Sequence, residues 1–250
     1  MELVWWALPL GLVIGAVMGS LGGGGAILTI PLLVYVLHQE PHAATLGSLV
    51  IVAISSVVGL LPHARRVQWR DGAVFGGMGI VGSMLGTAAA VRIPAELLMS
   101  LFAVLLLVVA GLMLRRRGAA AATPVRRGFW PLLATATGVG MLTGFFGVGG
   151  GFAVVPALTL VLGFTMHQAI ATSLLVICIN CLTALASRVG SGIGLDWGVV
   201  LPFAVGASLG SLVGGRLTRG IDPRTLQLAF ACLLVGLSLW IGGQNIPQLF

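Results

Sequence analysis

Gly19-Ser20-Leu21-Gly22-Gly23-Gly24-Gly25 opens the apolar run from Ala26 to Leu37, with Pro31 inside it. The pattern recurs. Gly144-Phe145-Phe146-Gly147-Val148-Gly149-Gly150-Gly151 opens the run from Phe152 to Leu162, with Pro156 where Pro31 stands. The offset is 125 residues, half of the 250-residue chain, and it also aligns Gly15 with Gly140, His42 with His167, Ser48 with Ser173 and Asp71 with Asp196. Each glycine opposes a helix by roughly 1 kcal/mol relative to alanine. Four in a row between apolar segments therefore read as a helix broken inside a membrane. Irregular backbone at that depth persists only where protein or a water-filled cavity satisfies it. Matched breaks in two halves of a chain point to a transporter binding site; close helix packing through glycine is the plainer alternative.

Composition sets the frame around these breaks. With 58% hydrophobic residues, 8% charged residues and a mean hydropathy of +1.11, the chain reads as an all-α polytopic membrane protein. Its length allows about eight to ten crossings at ~20 residues each, leaving almost nothing for a soluble domain. All thirteen basic residues are arginine, and they lie in short gaps between apolar runs. The net charge of +7 is thus an orientation signal and gives no reason to expect nucleic acid as a partner. Met1-Glu2-Leu3 lacks a basic n-region, so the first apolar stretch is expected to stay in the mature protein.

The arginines assign sides. Residues 63–72 carry three Arg and one Asp, residues 92–96 are balanced, and residues 115–128 carry five Arg. Residues 188–196 hold one Arg and one Asp, whereas 216–224 hold three Arg and one Asp. Arg-rich loops stay cytoplasmic, which puts 63–72, 115–128 and 216–224 inside. Matching loops of the two halves then fall on opposite sides. The expected organisation is transmembrane repeat 1 over residues 1–114, a cytoplasmic Arg-rich linker over 115–128 and transmembrane repeat 2 over 129–250. The repeats would be inverted, with Gly-broken helices near the midplane. Inversion needs an odd number of crossings per half. Five is the preferred count; three plus a hairpin that dips in and returns also satisfies it.

A helix starting at Ala26 or Phe152 leaves its first N–H groups open, with partial positive charge from its dipole. A small anion can be cradled there without a basic side chain. The candidate substrate-binding residues are therefore Gly22, Gly24 and Gly25 in one half and Gly147, Gly149, Gly150 and Gly151 in the other. Ser48, Ser173 and Asn180 join them from polar stripes on long apolar spans. Ser173, Asn180, Thr183 and Ser187 share one helical face. Ser and Thr hydroxyls can also bond their own helix carbonyls, so packing competes with ligand binding there.

The twin glycine segments with trailing prolines, in an Arg-oriented membrane chain, resemble the sulfite exporter TauE/SafE family of membrane permeases. The resemblance covers about residues 8–242. It implies a transporter of the bacterial inner membrane for sulfite, sulfonates such as sulfoacetate, or related sulfur compounds, and no enzyme activity. It supplies no catalytic residue, cofactor or metal site. The expected partners are a small anionic substrate and the lipid bilayer, with the oligomeric state open. His42 and His167 occupy equivalent turns, which makes protons the candidate coupling ion. Cys178 and Cys181 form a CxxC pair inside an apolar segment, and a membrane thiol-redox protein is the alternative function.

Overall fold

The computed structural model describes residues 2–90, 95–115, 129–146, 151–187 and 195–245, and among them the chain is helical with no strand. In order, α1 (Glu2–Leu21) leads through a 3-10 turn at Gly22–Gly25 into α2 (Ala26–Pro31) and a wider helical turn at Leu32–Val36. Then come α3 (Pro41–His63), a 3-10 turn at Ala64–Arg66, α4 (Trp69–Ala90) and α5 (Ala95–Arg115). The second half holds α6 (Phe129–Phe146), α7 (Gly151–Leu160), α8 (Met166–Ser187), α9 (Trp197–Leu217), a 3-10 turn at Thr218–Gly220 and α10 (Pro223–Asn245). Local chemistry sets several starts. Pro41 opens α3, where its missing N–H has no helical partner to lose. Asp196 caps α9 by accepting from Gly198 N at 3.0 Å.

Five stretches among the described residues are long and apolar enough to cross a membrane: Trp6–Val34, Ala43–Arg66, Met166–Ala186, Trp197–Leu217 and Pro223–Ile241. The first is continuous along the chain but not in space. An unbroken helix would hold residue 25 about 16 Å from residue 14. Instead, a Cβ at Gly25 would lie 2.6 Å from Met18 N and 2.9 Å from the Ile14 carbonyl oxygen. The chain doubles back on α1 at the glycines. Leu33 and Leu37 then pack beside Ala7 and Ile14, towards the start of α1. This reversal at the glycines is common to both expected counts, five crossings per half or three plus a hairpin.

The two return limbs end alike. Leu37 N bonds Leu32 O at 3.0 Å and Gln39 N bonds Leu33 O at 2.9 Å. At the same 125-residue offset, Leu162 N bonds Ala157 O at 3.3 Å and Phe164 N bonds Leu158 O at 3.0 Å. Both closures need a left-handed residue, supplied by His38 (φ 49°) and Gly163 (φ 65°).

Glycine seams decide which helices meet. Gly11, Gly15 and Gly19 of α1 lie on the backbones of Phe203, Ala207 and Ser211 of α9. Gly206, Gly210 and Gly214 of α9 return the contact to Leu8, Leu12 and Ala16. The rising numbers make α1 and α9 parallel. Gly79 and Gly82 of α4 pack likewise against Ala136, Thr137 and Met141 of α6, where Gly140 faces Gly79. Each seam joins a helix of the first half to one of the second.

The remaining directions follow from side-chain contacts at single glycines and from hydrogen bonds. Gly47 faces Val200 and Gly215 faces Pro62, so α3 runs with α9. Gly72 faces Thr172 and Gly76 faces Ile179, so α4 runs with α8. His167 Nε2 lies 3.2 Å from Thr218 O, which sets the start of α8 beside the end of α9. Gln227 Nε2 donates to Met113 O at 2.7 Å and Ser238 Oγ to Ala103 O at 2.8 Å, so α5 and α10 are antiparallel. One end of the bundle thus collects Arg65, Arg66, Arg70, Arg115, Arg216, Arg219 and Arg224, every arginine among the described residues. The other end holds Glu40 and Asp196, where Gln39 Nε2 donates to Asp196 Oδ2 at 3.4 Å. Exposed tryptophans mark both ends, Trp69 at the basic one and Trp6, Trp197 and Trp240 at the other.

Candidate functional site

The glycine turn of the first half meets the start of α7 in the second. Gly22, Gly23, Gly24 and Gly25 are all buried, and Gly23 lies against the backbone of Gly151 with no room for a Cβ on either. Gly22 has φ +73°, a conformation that glycine adopts without strain. A Cβ there would fall 2.5 Å from Ser173 Oγ and 3.2 Å from Val155 Cγ2. Gly24 faces Leu233 and Phe230 of α10, both at 3.1 Å from a built Cβ. Helix α7 is ten residues, about 15 Å long at 1.5 Å per residue, and a hydrocarbon core is ~30 Å thick. Its start is therefore half a membrane away from its other end.

The structure brings Gly22, Gly151 and Ser173 together across the two halves. Gly25 packs on α1 instead, and Gly24 on α10. Gly147, Gly149 and Gly150 lie outside the described residues. Ser48 is buried on α3 and donates to Thr45 O at 2.8 Å, away from Gly22. Asn180 sits on α8 towards α4: its Oδ1 would be 3.9 Å from a Cβ at Gly79, and that oxygen is buried without a hydrogen-bond partner among the described residues. It does not join the Gly22 junction.

One expectation is corrected in its details. In the first half the break is a 3-10 turn, and the N–H that opens α2 is not bare. Gly25 already has helical dihedrals (φ −68°, ψ −30°), and Ala26 N–H donates to Gly23 O within the 3-10 turn. Tight 3-10 geometry pairs groups that a gap would have left open.

The hydroxyl stripes are mostly self-satisfied. Ser173 Oγ donates to Ile170 O at 2.8 Å, Ser55 to Ile51 O at 2.7 Å, Ser56 to Val52 O at 2.6 Å and Thr183 to Ile179 O at 2.8 Å. Thr29 and Ser211 differ: both are fully buried, and their hydroxyls have no partner among the described residues. Sequence reading missed both. Ser211 lies within the Gly206-Gly210-Gly214 stripe, a spacing that by itself signals only close helix packing, and Thr29 sits in the return limb with nothing to mark it. Cys178 and Cys181 are buried free thiols on α8, and no group of three metal-ligating side chains occurs among the described residues.

Comparison with known proteins gives the same class. The profile of the family described as Sulfite exporter TauE/SafE matches residues 7–241. A probable membrane transporter protein of Xylella fastidiosa (strain Temecula1) is 31% identical over 239 residues, covering 91% of this chain and 90% of its own. The probable membrane transporter protein YdhB of Bacillus subtilis (strain 168) is 28% identical over 229 residues, covering 86% and 91%. A probable membrane transporter protein of Methanocaldococcus jannaschii is 24% identical over 254 residues, covering 94% and 95%. No solved structure matches. With the profile spanning nearly every helix described above, the chain belongs to the sulfite exporter TauE/SafE family of multi-pass membrane transporters.

Proposed function

We propose that this transporter moves a small sulfur-containing anion, such as sulfite or an organosulfonate like sulfoacetate, across the bacterial inner membrane by alternating access. The observation that carries the reading is the junction of Gly22 and Gly23 with Gly151 and Ser173, where backbone from both halves meets at the inner end of two short limbs. Side-chain-free backbone lets a small anion approach N–H groups closely. The substrate class rests on the family description. Ser173 would turn its hydroxyl from Ile170 O towards the anion.

Residues 1–114 and 129–250 act in this reading as inverted repeats joined by a cytoplasmic linker. Supporting it are the matched limb closures at His38 and Gly163 and the opposed directions of α3 and α8, of α4 and α9, and of α5 and α10. The collection of arginines at one end supports reading that end as cytoplasmic. The moving bodies, however, are not the two repeats. Seams between α1 and α9 and between α4 and α6 lock each repeat to the other, so rocking would occur between mixed bundles, α1–α3 with α9 against α4 with α6–α8.

The test is direct binding of sulfite and sulfoacetate to purified Ser173→Ala and Gly150→Val. The expected result is inserted protein with affinity reduced about tenfold or more, the scale of one lost charge-assisted hydrogen bond. Unchanged affinity in both variants would move the site elsewhere. Reporter fusions check the topology, with Ala120 expected inside and Phe250 outside; both inside would end the inverted reading. Cys178→Ala combined with Cys181→Ala should keep transport, and its loss in well-inserted protein would favour thiol chemistry instead.

A further inference from the structure

A second feature lies at the basic end, apart from the glycine junction. Leu61, Pro62, Ala64, Arg65 and Arg66 line a depression of about 390 Å³ where α3 turns into α4. Arginines there serve membrane orientation, and for that purpose a guanidinium needs only to reach water. Arg65 does so: it is exposed. Arg66 is half-buried, and its Nη1 is shut off from solvent with no acceptor among the described residues. A buried guanidinium N–H without an acceptor is costly to maintain. Orientation does not explain it.

The two halves differ at this position. The 125-residue offset aligns Arg65 and Arg66 with Gly190 and Ser191, so the basic pair has no counterpart in the second half. The depression also adjoins the core of the first half. Between Pro62 and Ala64, His63 is buried with Nε2 3.0 Å from Gly19 O, three residues before the glycine turn.

We infer that this depression is an oxyanion-binding site at the cytoplasmic mouth, in which Arg66 turns its unpartnered Nη1 outward and shares one oxyanion group with the Arg65 guanidinium. A planar guanidinium pair matches sulfite, sulfate, a sulfonate or a phosphate, and prefers two-point contacts. The chemistry has two sources, a free oxyanion from the cytoplasm or the phosphate of an anionic lipid, and the site does not depend on the substrate proposed for the glycine junction.

The test compares wild type with Arg66→Lys, which keeps the orienting charge and removes the fork. One arm titrates inorganic sulfate and sulfite calorimetrically into protein purified in lipid-free detergent. The other measures retention of phosphatidylglycerol over phosphatidylcholine by native mass spectrometry. The expected result is that Arg66→Lys weakens binding about tenfold or more in one arm, which names the source. Ala64→Glu, which sets a carboxylate beside Arg66, should abolish the same binding if Arg66→Lys inserts poorly. Repeating the productive arm in Gly22→Val should leave the Arg66-dependent binding intact, so that failure here and failure of the glycine site are distinguishable. Equal binding by wild type, Arg66→Lys and Ala64→Glu in both arms would overturn the proposal.

Discussion

Glycine fills both the seam between α1 and α9 and the turn at Gly22–Gly25, yet a side chain would meet different things in the two places. On the seam it strikes backbone: Gly15 faces Ala207, and Gly210 faces Leu12. Two rigid helices cannot yield without separating. In the turn, Gly22 is held by its left-handed dihedral and by Ser173 Oγ, while Gly24 meets only the outer atoms of Leu233 and Phe230. Gly23 and Gly25 meet backbone as the seam does, on Gly151 and on Met18 and Ile14, but the turn also uses glycine, at Gly22, to let the chain reverse. Only the turn enters the proposed binding site.

Five substitutions sharpen or break this contrast, the largest effect first. Gly15→Ala and Gly210→Ala should each cost about 3 kcal/mol or more, the upper range for overpacking, read as loss of stability to denaturant in detergent. Protein that survives should bind sulfite normally. Gly22→Ala should cost about 1–2 kcal/mol for the left-handed residue and weaken sulfite binding in the folded fraction. Were the seam variants to lose affinity while Gly22→Ala kept it, the assignment of roles would reverse. Gly24→Ala should cost under about 1 kcal/mol, because Leu233 can shift by the few tenths of an ångström required. Gly236→Ala should gain up to about 1 kcal/mol from helix propensity, since nothing among the described residues lies within 4 Å of a Cβ there. A loss at Gly236 would reveal a contact beyond the described residues.

Much of this was legible in the residues. The apolar runs fixed the long helices because ~20 residues of low polarity have few other uses, and the arginines marked the end at which they gather. The four-residue glycine spacings announced faces for close approach. What spacing does not carry is the identity of the mate: Gly11, Gly15 and Gly19 were visible, as were Gly206, Gly210 and Gly214, but nothing in either stripe names the other. The glycine run was read as a gap, whereas the hydrogen bond from Ala26 to Gly23 closes it into a 3-10 turn. That bond is local, set by the backbone angles the glycines adopt, and glycine's freedom leaves those angles unmarked in composition. Within the candidate site, Gly22, Gly151 and Ser173 were found from their repeats. Thr29 and Ser211 were not, because an orphaned hydroxyl is defined by what surrounds it.

The seam between α1 and α9 also constrains how the protein is made. Gly15 and the Ala207 it faces are separated by 192 residues, from 207 − 15. At synthesis rates of about 5–20 residues per second, α1 waits roughly 10 to 40 s for its partner. Through that interval its glycine stripe faces lipid or the insertion machinery, with the apolar runs of the first half already emerged. The last helices made are those that lock the first in place, so truncation before α9 strands α1 regardless of how well it inserts. The same interlock should let two fragments divided within residues 115–128 find each other in the bilayer, each holding the half-seam that the other lacks.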